Sequence, residues 1–263
     1  METTIITTEE LGYELPIGKE SGRSFSFKPW KAKDERAIGE IRAKNKAMSI
    51  GVFTSEVLAH FLLEWCGEDW AEKSQKEKRL AINQSFAADV HHAWIMLRRE
   101  ALGDILPMQI QCANCGEKFE FRAELGSVEV SKIEEGALLE HPFALRDGFE
   151  YRGDTRKIVT LAPLRWSVFE KIKGGLNVGR IKLQVVAGSI VGVGGLDGQV
   201  QISPAMLDEM TKFDLESLSS GLDELQPGPD FRLDIGCPHC GHENKDSISW
   251  LYDSFFSTGG SSR

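Results

Sequence analysis

Cys112-Ala113-Asn114-Cys115-Gly116 and Cys237-Pro238-His239-Cys240-Gly241 are two copies of one short pattern, Cys-x-x-Cys-Gly, and they decide how this chain closes. A two-residue gap lets both thiolates of one turn point at a common ion, about 2.3 Å from each sulfur. The glycine that follows permits the positive φ such a turn needs as it curls beneath a metal. Alternating segments flank both copies: residues 108–111 and 118–122 around the first, 232–236 and 247–251 around the second. Period-two alternation marks strands, so each knuckle is expected at a hairpin tip. Two tips facing each other supply four sulfurs in a tetrahedron and leave no position open to a substrate. That is the donor arrangement of a structural zinc site. The predicted ligands are Cys112, Cys115, Cys237 and Cys240, holding one Zn2+ per chain.

Other uses of these cysteines stay open. A thioredoxin-like redox pair would precede a helix, and neither motif is followed by a convincing one. Two separate sites drawing on His239 or His242 are a further alternative. Cys66, in Trp65-Cys66-Gly67, has no partner spacing and reads as a buried small apolar residue. Between Cys115 and Cys237 lie 121 residues, where compact ribbons have about 15–20 between their pairs. An internal repeat accounts for that distance, each half contributing its own tip.

Ahead of each knuckle the chain runs through the same order of features. Residues 15–30 read as two extended pieces around a Gly-rich turn, and Ser24-Phe25-Ser26-Phe27 puts both phenylalanines on one strand face. Residues 34–46 are charged and helical. Residues 53–65 carry Val57, Leu58, Phe61, Leu62 and Trp65 at helical spacing, with Thr54 or Ser55 as N-cap. The charged stretch 68–79 reads as a solvated turn. Residues 84–101 form another helix, striped by Phe86, Val90, Trp94 and Leu97 and stopped by Gly103 and Pro107. From His141 the order begins again. Residues 145–160 make two extended pieces around Arg152-Gly153-Asp154, and Trp166 enters a helix much as Trp30 does. Residues 183–193 take the place of 57–65. Ser203-Pro204 opens a helix carrying Met206, Leu207, Met210 and Phe213, and residues 231–235 alternate into the second knuckle.

The predicted fold is α+β: two degenerate halves of helices plus short antiparallel hairpins, joined by a four-cysteine zinc-ribbon-like site. Residues 1–126 form the first half, 127–140 a connector, 141–254 the second half and 255–263 a C-terminal tail.

The composition narrows the function. With 263 residues, 41% of them hydrophobic, the chain can bury a sizeable core without a metal. No apolar run approaches the ~20 residues needed to span a bilayer, so no membrane role is expected. The N-terminus lacks the basic and apolar regions of a secretory signal, which points to a reducing compartment. A net charge of −9 opposes a phosphate backbone, and no nucleic acid is expected as a partner. No catalytic constellation emerges. His91-His92 project about 100° apart on a helix and read as a partly exposed face. The glycines of 188–198 match no nucleotide loop and read as a flexible turn. Arg98-Arg99 is diluted by Glu100 and Asp104, while Trp30, Trp65, Trp94 and Trp166 read as core or interface anchors.

The ordered set resembles a known family. Leu15-Pro16 with its Gly turn, the helices leading through 90–98 to the first knuckle, the second knuckle and the closing Phe255-Phe256 together look like the T-even-type phage baseplate family, the hub and hub-assembly proteins of contractile tails. The resemblance implies a non-enzymatic structural or assembly protein without a small-molecule substrate, its zinc held by the four cysteines. It implies work in the bacterial host cytoplasm during assembly or in the virion tail baseplate. Expected partners are other baseplate or tail proteins, with the tape measure as a candidate. Phe255 and Phe256 are candidate partner-binding anchors, the alternative being a tail folded back on its own core. A zinc-ribbon adaptor for nucleic acid or a transcription complex is the competing function.

Overall fold

The computed structural model describes residues 13–44, 49–134, 136–173, 177–196, 200–248 and 256 of the chain. The first elements are β1 (Tyr13–Lys19), β2 (Gly22–Phe27), α1 (Ala32–Lys44), α2 (Ile50–Phe61), β3 (Leu62–Trp65), β4 (Glu68–Asp69), α3 (Gln75–Gln84) and α4 (Ala87–Leu102). The hairpin β5 (Ile105–Gln111) and β6 (Lys118–Glu124) follows, then β7 (Val130–Ser131). The order resumes with β8 (His141–Tyr151), β9 (Asp154–Leu161), α5 (Trp166–Glu170), α6 (Val178–Ser189), β10 (Ile190–Val193) and α7 (Lys212–Leu225). The short β11 (Gly228–Pro229) and the hairpin β12 (Arg232–Gly236) and β13 (Glu243–Ser247) complete it. The sheets are small and antiparallel, in the orders β1-β2-β3-β4, β10-β9-β8, β5-β6, β12-β13 and β11-β7. The chain is α+β, as its sequence predicts.

The two halves share a plan beyond the order of elements. α2 passes straight into β3 and α6 straight into β10, and each strand then pairs with the second strand of the preceding hairpin. The N-caps correspond too: the Ser49 side chain accepts from Val52 N–H and that of Asn177 from Arg180 N–H. A deeper correspondence lies where the first strand of each hairpin bulges. The β1–β2 register shifts between Glu14 and Lys19, and the β8–β9 register between Ala144 and Phe149. A bulge leaves backbone donors without strand partners, and buried donors must be satisfied. In the first half Asp89, in the first turn of α4, accepts from Ile17 N–H at 2.8 Å and Gly18 N–H at 3.1 Å. In the second, Asp214 in the first turn of α7 accepts from Arg146, Asp147 and Gly148 N–H at 2.8–2.9 Å. Gly18 and Gly148 take φ values of 69° and 88°, and a Cβ there would lie 2.7 Å and 2.5 Å from the carbonyl oxygens of Gly22 and Arg156. Asp89 precedes Cys112 and Asp214 precedes Cys237 by the same interval of 23 residues.

The packing is less symmetrical. The larger core cluster gathers Leu15, Phe25, Phe27, Leu58, Trp65 and Trp94 but also takes Leu164, Trp166, Val168, Leu222 and Ile248 from beyond residue 141. α5 lies against α2 and α3. The Trp166 indole N–H donates to Ser55 Oγ at 2.8 Å and Gly51 O at 3.1 Å. Gly51 has no room for a side chain, since a Cβ would sit 2.4 Å from the Phe169 backbone. The second cluster, built on Leu145, Phe149, Val159, Leu161, Val186 and Leu218, belongs to the second half alone.

Several local expectations change. The supposed solvated turn at 68–79 holds β4 and the start of α3, which opens on a reciprocal cap between Ser74 and Glu77. Lys78 of that helix is buried, its Nζ donating to Leu62 O at 2.7 Å. The helix expected from Ser203 is a single 3-10 turn, Pro204–Leu207, and α7 starts only after the Thr211 cap. The glycine-rich stretch expected as a flexible turn contributes β10. His91 and His92 do not form an exposed face. The His91 ring meets Trp166, Phe169 and Phe231 edge-on, and buried His92 meets Phe25. Arg98 is buried as well, donating to Gly103 O and Ile105 O.

Asp214→Ala strands three part-buried donors, and loss of their shared acceptor is expected to lower unfolding stability by about 2 kcal/mol, measurable by urea denaturation. Acid sensitivity has a definite sign. Burial lowers His91 and His92 to about 4, so from there to the ordinary histidine range the unfolded chain holds two more protons than the folded one. Burial raises Asp89 to about 6, outweighing the N–H groups of Ile17 and Gly18, and gives the folded chain one more proton over much of that window. The histidines' contribution to stability therefore rises with pH across it, opposed by Asp89 and by Glu100, which burial also raises. His92→Gln is expected to reduce that contribution to the slope of denaturation midpoints measured between about pH 4.5 and 6.5, the window these shifts define.

Candidate metal centre

The β5–β6 and β12–β13 hairpins bring their tips together. Cys112 Sγ lies 3.7 Å from Cys240 Sγ, Cys115 Sγ lies 3.8 Å from Cys237 Sγ, and all four sulfurs fall within 4.8 Å of one another. A tetrahedron with 2.3 Å metal–sulfur arms has edges of about 3.8 Å. A disulfide would need about 2.05 Å, and all five cysteines are free. The spacing and the set of four soft donors therefore fit one metal ion at the junction of the hairpins.

The two knuckles are built alike. Cys112 N–H donates to Glu117 O and Gly116 N–H to Cys112 O, each at 2.9 Å; Cys237 N–H to His242 O and Gly241 N–H to Cys237 O repeat both bonds at the same length. Gly116 and Gly241 adopt φ of 75° and 71° with open space where a Cβ would stand, so backbone conformation rather than crowding calls for glycine. β13 follows the second knuckle directly, earlier than the 247–251 stretch expected to flank it.

A family model described as T4 bacteriophage base plate protein matches residues 8–256, nearly the whole chain. The chain belongs to this base plate family. No curated protein and no solved structure matches it. Among the described residues of this base plate protein, no helix is long and apolar enough to cross a membrane.

The electrostatics of the centre suit a cation. The N–H groups of Cys115 and Asn114 favour the Cys112 thiolate and lower it to about 6. Cys240 is lowered by the His242 N–H and then by the Asn114 amide, whose Nδ2 lies 3.7 Å from its sulfur. The Glu117 N–H favours the Cys115 thiolate, but partial desolvation and three facing sulfurs prevail and raise it to about 12. Four negative charges cannot gather at this spacing without a counter-ion, and a bound metal displaces the remaining protons.

The other candidate residues lie elsewhere. Phe256 stacks on Trp30 at 5.3 Å between ring centroids and meets Trp94 at 4.8 Å, against the chain's own core. Phe255 lies outside the described residues. Cys66 is buried and does not join the group of four, and desolvation pushes its thiol up to about 12. Sequence reasoning missed Asn244. Its side chain is buried in β13, where Oδ1 accepts from Ala113 N–H of the opposite tip at 2.9 Å. The available signal was an asparagine at an inward position of a strand it ordinarily disfavours.

Cys115 and Cys240 are exposed, so serine there disturbs little packing. Cys115→Ser and Cys240→Ser should each weaken metal retention by more than the roughly 10–100-fold typical of outer-shell changes. Cys66→Ser should leave it unchanged, read by elemental analysis after dialysis against a chelator.

Proposed function

We propose that this base plate protein is a non-enzymatic structural or assembly component of the hub region of a contractile tail, held together by one structural Zn2+. The observation that carries the reading is the meeting of four sulfurs, two from each half, at the edge length of a zinc–thiolate tetrahedron. Four protein ligands fill the coordination of Zn2+ and leave no position for a substrate, which separates this centre from hydrolytic zinc sites. Thiolates also favour zinc over the oxygen-seeking magnesium and calcium ions.

In this reading, the metal fixes the two ends of the repeat to each other, and the protein acts through contacts with other baseplate or tail proteins, the tape measure being one candidate. The net charge of −9 supports protein rather than nucleic-acid partners. Assembly takes place in the host cytoplasm, with the finished tail as the destination.

Affinity capture of the tagged chain from host cells assembling tails is expected to recover other baseplate components, with one zinc per purified chain by elemental analysis. Recovery of no tail protein would overturn the assembly role. Protein that carries no zinc as purified and takes up none when it is supplied would overturn the zinc.

A further inference from the structure

We infer that Asn244 is a positioning residue that docks the two hairpins on each other before any metal arrives, so that the chain itself holds the four sulfurs near ligand spacing. Asn244 is 6% exposed and pairs with Ile235 across β12–β13. Its Nδ2 donates to Ile235 O and His242 O, both at 3.2 Å, while Oδ1 accepts from Ala113 N–H at 2.9 Å. Carbonyls only accept and an amide N–H only donates, so these three partners fix which way the side-chain amide faces. The amide is thus locked into its own hairpin on one side and reaches across to the other tip on its free side. The residue it grips adjoins Cys112, so sliding of one hairpin along the other would break this bond and displace a ligand together.

The repeat explains why the bond is one-sided. Asn244 lies seven residues after Cys237, and the seventh residue after Cys112 is Phe119, which has no amide to offer. The counterpart of Ala113 is Pro238, which has no N–H to give. No reciprocal bond can form. A second contact across the tips, from Asn114 Nδ2 to Cys240 Sγ, is long and exposed.

The inference rests on the metal-site reading for one of its two measurements. The first uses the full chain stripped of metal by a chelator, with backbone amide exchange followed across the 108–121 stretch. The stripped wild type should protect the Ala113 amide, and Asn244→Ala should exchange it at least about 10-fold faster; equal rates would overturn the inference. The second loads both proteins with Zn2+ and times its release to a colorimetric chelator. Asn244→Ala is expected to release Zn2+ about 10–100-fold faster, while Co2+-loaded protein keeps the absorption of a tetrahedral four-thiolate site. Should Asn244→Ala fail to fold, Ala113→Pro removes the donor alone, in a turn position that Pro238 already occupies in the other knuckle. It should accelerate release to the same degree, and release at the wild-type rate would overturn the inference. A wild type that binds neither Zn2+ nor Co2+ would sink the metal reading, and the exchange comparison would still decide the role of Asn244.

Discussion

Two hairpin tips separated by 121 residues have to meet, and the rest of the architecture is organised around that closure. Bringing together the ends of a flexible loop of this length costs about 4 kcal/mol of chain entropy before any local constant is added. The shared core supplies what opposes that cost. α5 is seated on α2 through Trp166 and the bare backbone at Gly51, so the halves are joined through contacts other than the cysteines. The hairpin bases are held in the same mass. Met108 and Phe121 of one hairpin and Phe231 and Leu233 of the other pack against the larger cluster. The tips therefore start close to each other, and the sulfurs have only to be fixed in orientation.

The repeat shows how one local design is used twice. In each half a bulged strand releases backbone donors, an aspartate from the first turn of a later helix accepts them, and 23 residues on the first cysteine of a knuckle appears. The helix dipole adds to the arrangement, because a carboxylate in the first turn faces the positive end of its own helix. The aspartates thereby tie the sheet of each half to the helix that leads towards the cysteine knuckles. Their environments differ in one respect: Asp89 accepts two donors, whereas Asp214 accepts three.

What could be read in the sequence follows from what is local. The Cys-x-x-Cys-Gly turns, the Arg152-Gly153 hairpin bend and the facing phenylalanines at 25 and 27 each express a rule that works within a few residues. The helix α3 was hidden by its charge, although Ser74 and Glu77 carried its capping signal in plain view. Ser203-Pro204 gave a true start signal, but for one 3-10 turn, because Thr211 caps the longer helix that follows. The buried polar residues lay further out of reach. Lys78, Asp89, Arg98, Asp214 and Asn244 all look like surface residues by type, and their partners are backbone groups that carry no sequence signal. Buried polar groups are legible only once the chain trace says which carbonyls and amides they must serve.

A core this large does not require a metal to fold, so an ion at the hairpin tips would serve the tips themselves. Two-stranded ribbons are marginal by themselves in water, and the outer parts of both hairpins lie beyond the core, with Cys115 and Cys240 exposed. Hydrophobic burial secures their bases but cannot set the angle between their tips. Directional bonds can: four sulfurs around one bound ion, with the Asn244 amide across the tips, would remove the remaining freedom of the ribbons relative to each other. A surface that is rigid before contact loses less entropy when a partner docks, so each contact contributes more to affinity. For a protein whose work lies in contacts within a base plate, the gain from such a centre is a fixed shape at the point where the fold alone would leave it loose.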